Sequence, residues 1–581
     1  MNGFSFGPRL TPDGVTFRLW APAARQVAVL LDGTAHAMQP ETEGWFTCDI
    51  ADAGAGARYR FLINGEAEVP DPASPFQPED IARPSEVIDH QSYAWRATGW
   101  RGRPWEDAVF LEAHIGTFTP EGTYRAMIGK LDHLAETGIT ALELMPVADF
   151  PGRWNWGYDG ALWYAPDSSY GRPEDLKALI DEAHLRGLMV FLDVVYNHFG
   201  PEGNYLGLYA PSFFSSAQTP WGNAIDYRVP QVRRFAVENA LYWLRNYRFD
   251  GLRLDAVHAI ETAEGLLLRD ISIAAGTFAR SSGRHVHLVL ENDDNRASLL
   301  DPFADPSAGK YRAQWNDDYH HAWHVLLTSE TSGYYQDYQP PLPHLARALE
   351  SGFAYQGEPS AYRNNAPRGE PSGNLSPAAF VNFIQNHDQI GNRALGDRLA
   401  APLAAIEAAL SITLLAPMPP MMFMGEEWGA TTPFPFFCDF QGSLAQAVRD
   451  GRRREYSEAY EALTDDVPDP VDQATFLHAK LGWQELQSVT GQRRHELVRR
   501  LLAIRRQHIV PRLRGASFEE AHIGADGALF ASWNLAGSLL TLTANLSSAP
   551  GTKETPRGVH VIWGEPGLFA PWGVCWTMES A

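Results

Sequence analysis

Lysine, cysteine and long apolar runs are scarce in this sequence of 581 residues. Lysine occurs only at Lys130, Lys177, Lys310, Lys480 and Lys553, so arginine carries nearly all the positive charge. The 47 basic residues face 70 acidic ones, a formal charge of −23. A chain this acidic is repelled by phosphate, which excludes nucleic acid and anionic membrane surfaces as partners. The three cysteines, Cys48, Cys438 and Cys575, are far apart and outside any CxxC spacing. They imply neither a disulfide framework nor a zinc site and favour a reducing compartment. The longest apolar stretch, Ala416–Met424, holds three prolines and falls well short of the ~20 residues that span a bilayer. Met1–Leu10 lacks a basic segment followed by an apolar run, so no secretory leader is expected and the reading is cytoplasmic. What the sequence has in plenty is apolar and aromatic surface: 45% hydrophobic residues, with 18 Trp, 21 Tyr and 29 Phe, enough for a large packed core.

The pattern changes twice along the chain. Val15–Trp20, Gln26–Leu31, Trp45–Asp49 and Arg58–Asn64 are short strand-like runs bounded by Gly, Asp or Pro, the signature of a small β-sandwich. From about residue 101, apolar runs alternate with amphipathic helical stretches. The runs are Ala108–Ala113, Ala141–Val147, Met189–Val195, Gly251–Asp255, His287–Glu291, Phe380–Asp388 and Met421–Glu426. Strands apolar on both faces, each followed by a helix, predict a parallel sheet, and about eight such units predict an α/β (β/α)8 barrel with insertions. Beyond about Gly515, Ala528–Trp533 and Leu539–Leu546 predict a C-terminal β-sandwich. The expected units are residues 1–100, 101–510 and 511–581.

Polar residues collect where the apolar runs end: Asp193, Asn197 and His198; Arg253 and Asp255; Glu291; His387 and Asp388. Singly, each acid reads as a helix cap or turn residue. Three acids on separate strand ends, with an arginine and two histidines, point instead to a site at the C-terminal mouth of the barrel. Acid and histidine sets suit either a divalent metal or glycoside hydrolysis. Arg253 favours the latter. Two residues from Asp255 on one strand, it faces the same way, keeps that carboxylate ionised as a nucleophile requires, and repels a cation. Glu291 follows the apolar Leu288–Leu290, and desolvation there favours a protonated general acid. Trp154, Trp156, Tyr158, Trp163, Tyr164, Phe199, Tyr205, Tyr209, Phe213, Phe214 and Trp221 crowd the segments after the second and third runs. They suit sugar stacking, with about half expected to form a small core under the loops.

Four segments, DVVYNH (193–198), GLRLDAVH (251–258), LVLEND (288–293) and FIQNHDQIGNR (383–393), resemble the α-amylase superfamily of retaining α-glucosidic enzymes. The resemblance implies Asp255 as nucleophile, Glu291 as acid/base and Asp388 as the acid stabilising the distorted sugar. Arg253, His198, His387 and Tyr158 would line the reactive sugar subsite. With its leading sandwich and the segments FPGRWNWGYDG, NHFGPEGNYL, QWNDDYHHAWH and MGEEWGA, the chain is most similar to the malto-oligosyltrehalose trehalohydrolases. That likeness implies a malto-oligosyltrehalose substrate and no redox cofactor or metal in the chemistry. Where many α-amylases carry Lys-His after the nucleophile, this chain has His258 and Ala259, which argues against ordinary endo-amylase action. His258 is an expected substrate-binding residue, and Asn292, Asp293, Asp317 and Asp318 are the expected hydroxyl acceptors on the trehalose side. Glucan branching or debranching, and a non-catalytic carbohydrate-binding role, remain the alternatives.

Overall fold

The computed structural model describes residues 3–579 except 220–221, 261–264, 306–307, 458–466, 525–526, 552–559 and 566–569. Trp221 lies outside the described residues.

Eight parallel strands close into a barrel: β1 (Phe110–Ala113), β2 (Ala141–Leu144), β3 (Met189–Val194), β4 (Gly251–Leu254), β5 (His287–Leu290), β6 (Ala313–Trp315), β7 (Phe380–Phe383) and β8 (Pro420–Phe423). β8 closes the ring on β1 through Phe110↔Met421. Side chains alternate between the two faces with period two. Leu111, Leu142, Leu192, Leu252 and Leu288 pack in the large core that includes the surrounding helices. Phe110, Ala141, Met189, Phe191, Val289 and Val381 fill the barrel interior. Gly251 is required on that inner side, because a Cβ there would lie 2.1 Å from the Phe191 ring. Continuing the inward alternation one step toward the mouth gives Glu112, Glu143, Asp193, Arg253 and, past the strand ends, Asp255 and Glu291.

The N-terminal sandwich pairs a sheet of Arg9–Thr11, Gly14–Trp20, Trp45–Ile50 and Gln39–Pro40 with one built on Val27–Leu31 and Arg58–Ile63. It docks on the barrel through aromatic rings. Trp20 meets Phe213 at 5.5 Å and Phe6 meets Phe235 at 5.0 Å; beneath them, within the barrel unit, Trp163 stacks on Phe199 at 4.0 Å and tilts against Phe235 at 5.7 Å. Trp163, Tyr164, Phe199, Tyr209 and Phe213 are therefore core residues rather than sugar platforms, because the sandwich covers the loops that carry them.

The C-terminal sandwich expected from sequence is, among the described residues, one five-stranded antiparallel sheet: Ser517–Ile523, Leu529–Leu535, Ser538–Ala544, Val574–Glu579 and His560–Trp563. A helix supplies the opposing layer in place of a second sheet. Trp533 Nε1 donates to the Leu349 carbonyl of helix Pro341–Ser351 (3.0 Å). No helix among the described residues is long and apolar enough to cross a membrane.

Trp163→Ala is expected to destabilise the protein by ~3–5 kcal/mol, since it empties the aromatic layer between sandwich and barrel. Urea unfolding measures this, and a loss below ~1 kcal/mol would contradict the packing role.

Candidate active site

Arg253 sits at the centre of the barrel mouth with no exposed surface. One of its terminal nitrogens donates to Asp193 Oδ2 (2.6 Å) and Asp255 Oδ1 (2.8 Å). The other lies 3.3 Å from Glu291 Oε2. The guanidinium also lies over the Trp315 ring at 4.1 Å. Strand register accounts for this convergence: Arg253 is directly opposite Asp193 on β3 and Val289 on β5, two residues before Glu291.

The two acids flanking Arg253 at the mouth, Asp255 and Glu291, differ in surroundings. Asp255 takes a second hydrogen bond from Asn197 Nδ2 (3.0 Å), so each of its oxygens faces a donor. Glu291 accepts from the Ala256 amide at 2.5 Å. Burial pushes the Glu291 carboxyl up; Arg253 opposes the shift and the charge on Asp255 adds to it. The pair thus matches a nucleophile held by donors and a proton donor held by desolvation.

His198 Nε2 donates to the Tyr158 carbonyl (2.9 Å), and burial lowers the pKa of the ring. Tyr158 donates its hydroxyl to Asp193 (2.6 Å) and stacks on His387 at 5.0 Å. His387 is buried between two carboxylates. Its Nδ1 is hydrogen-bonded to Glu112 Oε1, and its Nε2 lies 3.5 Å from Asp388 Oδ1. Asp388, whose side chain is 43% exposed, faces the open cleft. Burial disfavours the imidazolium, but Asp388 and Glu112 outweigh it and push His387 up to about 9.

On one side of Glu291 and Asp388 opens a cavity of about 240 Å³. His258, Asp293, Asp317, Tyr334, Tyr338, Tyr362, Arg363 and Arg368 reach it. His258 Nδ1 accepts from the Asp293 amide (3.2 Å), and Asp293 is paired with Arg363 and with Arg368 (3.0 Å). Asp317 opens the helix Asp317–Thr328 beside Glu291, and burial raises its pKa well above the ordinary range.

Two expected sugar contacts lie elsewhere. Asn292 is buried and accepts from the Asp294 amide (3.1 Å), which forms the turn after β5. Asp318 has no exposed surface. Its carboxylate collects donors from Asn295 Nδ2, the Ala354 and Tyr355 amides, the Tyr338 hydroxyl and Arg368. A carboxylate with both oxygens so occupied is a structural hub, not a hydroxyl acceptor. A larger cavity of about 490 Å³ lies near the starts of β1 and β2. Arginines line it, and four of them are tied to carbonyls: Arg103 to Gly187, Arg186 to Glu182, Arg499 to Glu136, and Arg505 to Ala416 and Met418.

Sequence reasoning passed over Glu112, Tyr334, Tyr338, Arg363 and Arg368. Glu112 carried a readable signal, an acid at an inward position of an apolar strand. The others sit on segments distant from every motif.

The family model for the α-amylase catalytic domain matches residues 98–221, and that for carbohydrate-binding module 48, the isoamylase N-terminal domain, matches residues 5–77. A malto-oligosyltrehalose trehalohydrolase of Deinococcus radiodurans is 43% identical, over 88% of this chain and 84% of the relative. One from Saccharolobus solfataricus is 40% identical, over 83% and 84%. The chain belongs to the malto-oligosyltrehalose trehalohydrolase family. A 1,4-alpha-glucan branching enzyme of Photobacterium profundum is 34% identical over only 42% of this chain and 38% of its own length. A crystal structure titled putative alpha amylase, from Salmonella typhimurium, superposes over the full length of both chains with a TM-score of 0.93 and 44% identity. A pullulanase from Paenibacillus barengoltzii shares the fold at 18% identity, with a TM-score of 0.73.

Asp318→Ala is expected to cost ~3–5 kcal/mol of stability, because it removes one of the two carboxylates that pair with buried Arg368 and leaves the Asn295, Ala354 and Tyr355 donors without their acceptor. Thermal or urea unfolding checks this. A variant of unchanged stability with weakened substrate binding would restore Asp318 as a sugar ligand.

Proposed function

We infer that this protein is a retaining glycoside hydrolase that cuts the α-1,4-glucosidic bond next to the terminal trehalose of malto-oligosyltrehalose. The products are trehalose and a malto-oligosaccharide. The observation that carries the chemistry is the Arg253 guanidinium reaching both Asp255 and Glu291 at the barrel mouth. Relatives named for this activity, matched over most of both chains, support the substrate.

In this reading Asp255 attacks C1 of the glucose adjoining the trehalose unit. Glu291 gives its proton to the glycosidic oxygen, and trehalose leaves. Asp388 stabilises the oxocarbenium-like sugar, with His387, His198, Arg253 and Tyr158 around it. The now ionised Glu291 takes a proton from water, and the hydroxide attacks C1 and frees Asp255. Two displacements retain the α-configuration. The cavity beside Glu291 receives the leaving disaccharide, with His258, Asp293 and Asp317 facing its hydroxyls. Tyr338 and Arg368, both buried, also line this cavity. We take residues 1–100, 101–510 and 511–581 as sandwich, catalytic barrel and C-terminal unit. The widely spaced cysteines fit a cytoplasmic setting.

Asp255→Ala is expected to lower turnover of maltotriosyltrehalose by at least ~10⁴-fold with unchanged unfolding. Glu291→Gln should be comparably impaired on that substrate and recover part of its rate on an α-maltosyl fluoride, which needs no protonated leaving group. Product chromatography after incubation with maltotriosyltrehalose, amylose and amylopectin tests the substrate. Free trehalose supports the reading; altered branching of the glucans, without trehalose, overturns it in favour of a branching or debranching enzyme.

A further inference from the structure

We propose that Glu112 is a positioning residue that holds His387 as a doubly protonated imidazolium during turnover. The geometry alone argues for this. The buried ring stands between two carboxylates, Glu112 facing Nδ1 and Asp388 facing Nε2. A neutral imidazole has one N–H and one lone pair, so it would turn a lone pair toward one carboxylate. Only the imidazolium donates to Glu112 through Nδ1 and at the same time turns a positive N–H toward Asp388 at 3.5 Å. Glu112 also accepts from the His387 backbone amide (3.0 Å), which fixes the peptide that precedes Asp388. It therefore sets the charge of the ring and the position of the acid facing the sugar.

The groups around His387 support the assignment. Glu112 and Asp388 bring negative charge from β1 and from the ring's own segment. Arg253, on β4, opposes the imidazolium from across the mouth. Glu143 stands opposite Glu112 in the β1–β2 register. Both Glu143 oxygens are buried without a hydrogen-bond partner, and burial, then Asp193 and Glu112, raise its pKa well above the ordinary range. Burial thus disfavours charge on Glu143, whereas Glu112 is the carboxyl that meets the ring, at Nδ1. His114 is buried nearby; burial pushes it down to about 3, so it brings no positive charge at neutral pH. Tyr158 stacks on the ring face and donates to Asp193 rather than to the histidine.

The consequence for activity rests on the hydrolase reading above, whereas the protonation state does not. The test is therefore made first on the free enzyme. Imidazole ¹⁵N NMR of the full chain at pH 8, with the His387 signal identified by its loss in His387→Asn, is expected to show both ring nitrogens protonated. A neutral ring in the wild-type protein would overturn the proposal whatever the substrate proves to be. Glu112→Gln keeps one acceptor oxygen, enough for Nδ1 or for the amide but not for both, and removes the charge. It should render His387 neutral at pH 8 and move the alkaline limb of kcat down by at least one pH unit, with a loss of about tenfold or more at pH 8. Activity should recover toward wild type as pH falls. A uniform loss at every pH, with the His387 signal unchanged, would mean that Glu112 only supports the fold and would overturn the proposal.

Discussion

One buried guanidinium organises the mouth of this barrel. Arg253 has no exposed surface and is surrounded by the carboxyl groups of Asp193, Asp255 and Glu291. A charge so placed is tolerated only with close partners, and the acids in turn are tolerated only because it is there. The arrangement follows from the strand alternation. An inward residue on β4 faces its neighbours on β3 and β5, and a guanidinium is long enough to reach the acids of both. The same cation does not act equally on its neighbours. Asp255 holds a short hydrogen bond to it and another to Asn197, whereas Glu291 lies farther off and takes its direction of shift from burial. Two carboxylates with separate roles thus arise from one cation placed asymmetrically between them.

Around this centre the structure divides its labour. The sandwich and the aromatic layer beneath it hold the loops after β2 and β3, so that Tyr158 and His198 present fixed groups to the cleft. On the leaving side, Asp318 ties the start of one helix to the hairpin Glu358–Ser360/Ala366–Arg368. That hairpin carries Arg368, and Arg363 stands on its turn. Both guanidiniums pair with Asp293, which reaches the cavity beside Glu291. The shape of this cavity therefore depends on the buried Arg368–Asp318 ion pair behind its wall.

The barrel was legible in the sequence because seven of its strands read as apolar runs, and several of these end at polar residues. The sixth, Ala313–Trp315, is three residues long, too short for a pattern, and sits inside a polar stretch. The acids Asp255, Glu291 and Asp388 were legible for a related reason: a charge at the end of a buried strand needs a purpose. Asn292 and Asp318 were misread because sequence shows a polar residue near a motif but not which way its side chain is engaged. About half of the aromatic residues after β2 and β3 are buried, as expected, but sequence does not say which half. Nothing local distinguishes a ring facing solvent from one covered by a sandwich that lies more than a hundred residues earlier. Arg363, Arg368 and Tyr334 come from a long insertion, and their convergence on the cavity is a property of the tertiary fold.

The central claim is that Asp255, held by Arg253 and Asn197, forms the bond to the sugar while Glu291 moves the proton. It is tested most directly by trapping the glycosyl-enzyme intermediate with a 5-fluoro-α-maltosyl fluoride and sequencing the labelled peptide by mass spectrometry. The account predicts one maltosyl adduct, on Asp255. An adduct on Glu291 or Asp388 would contradict it.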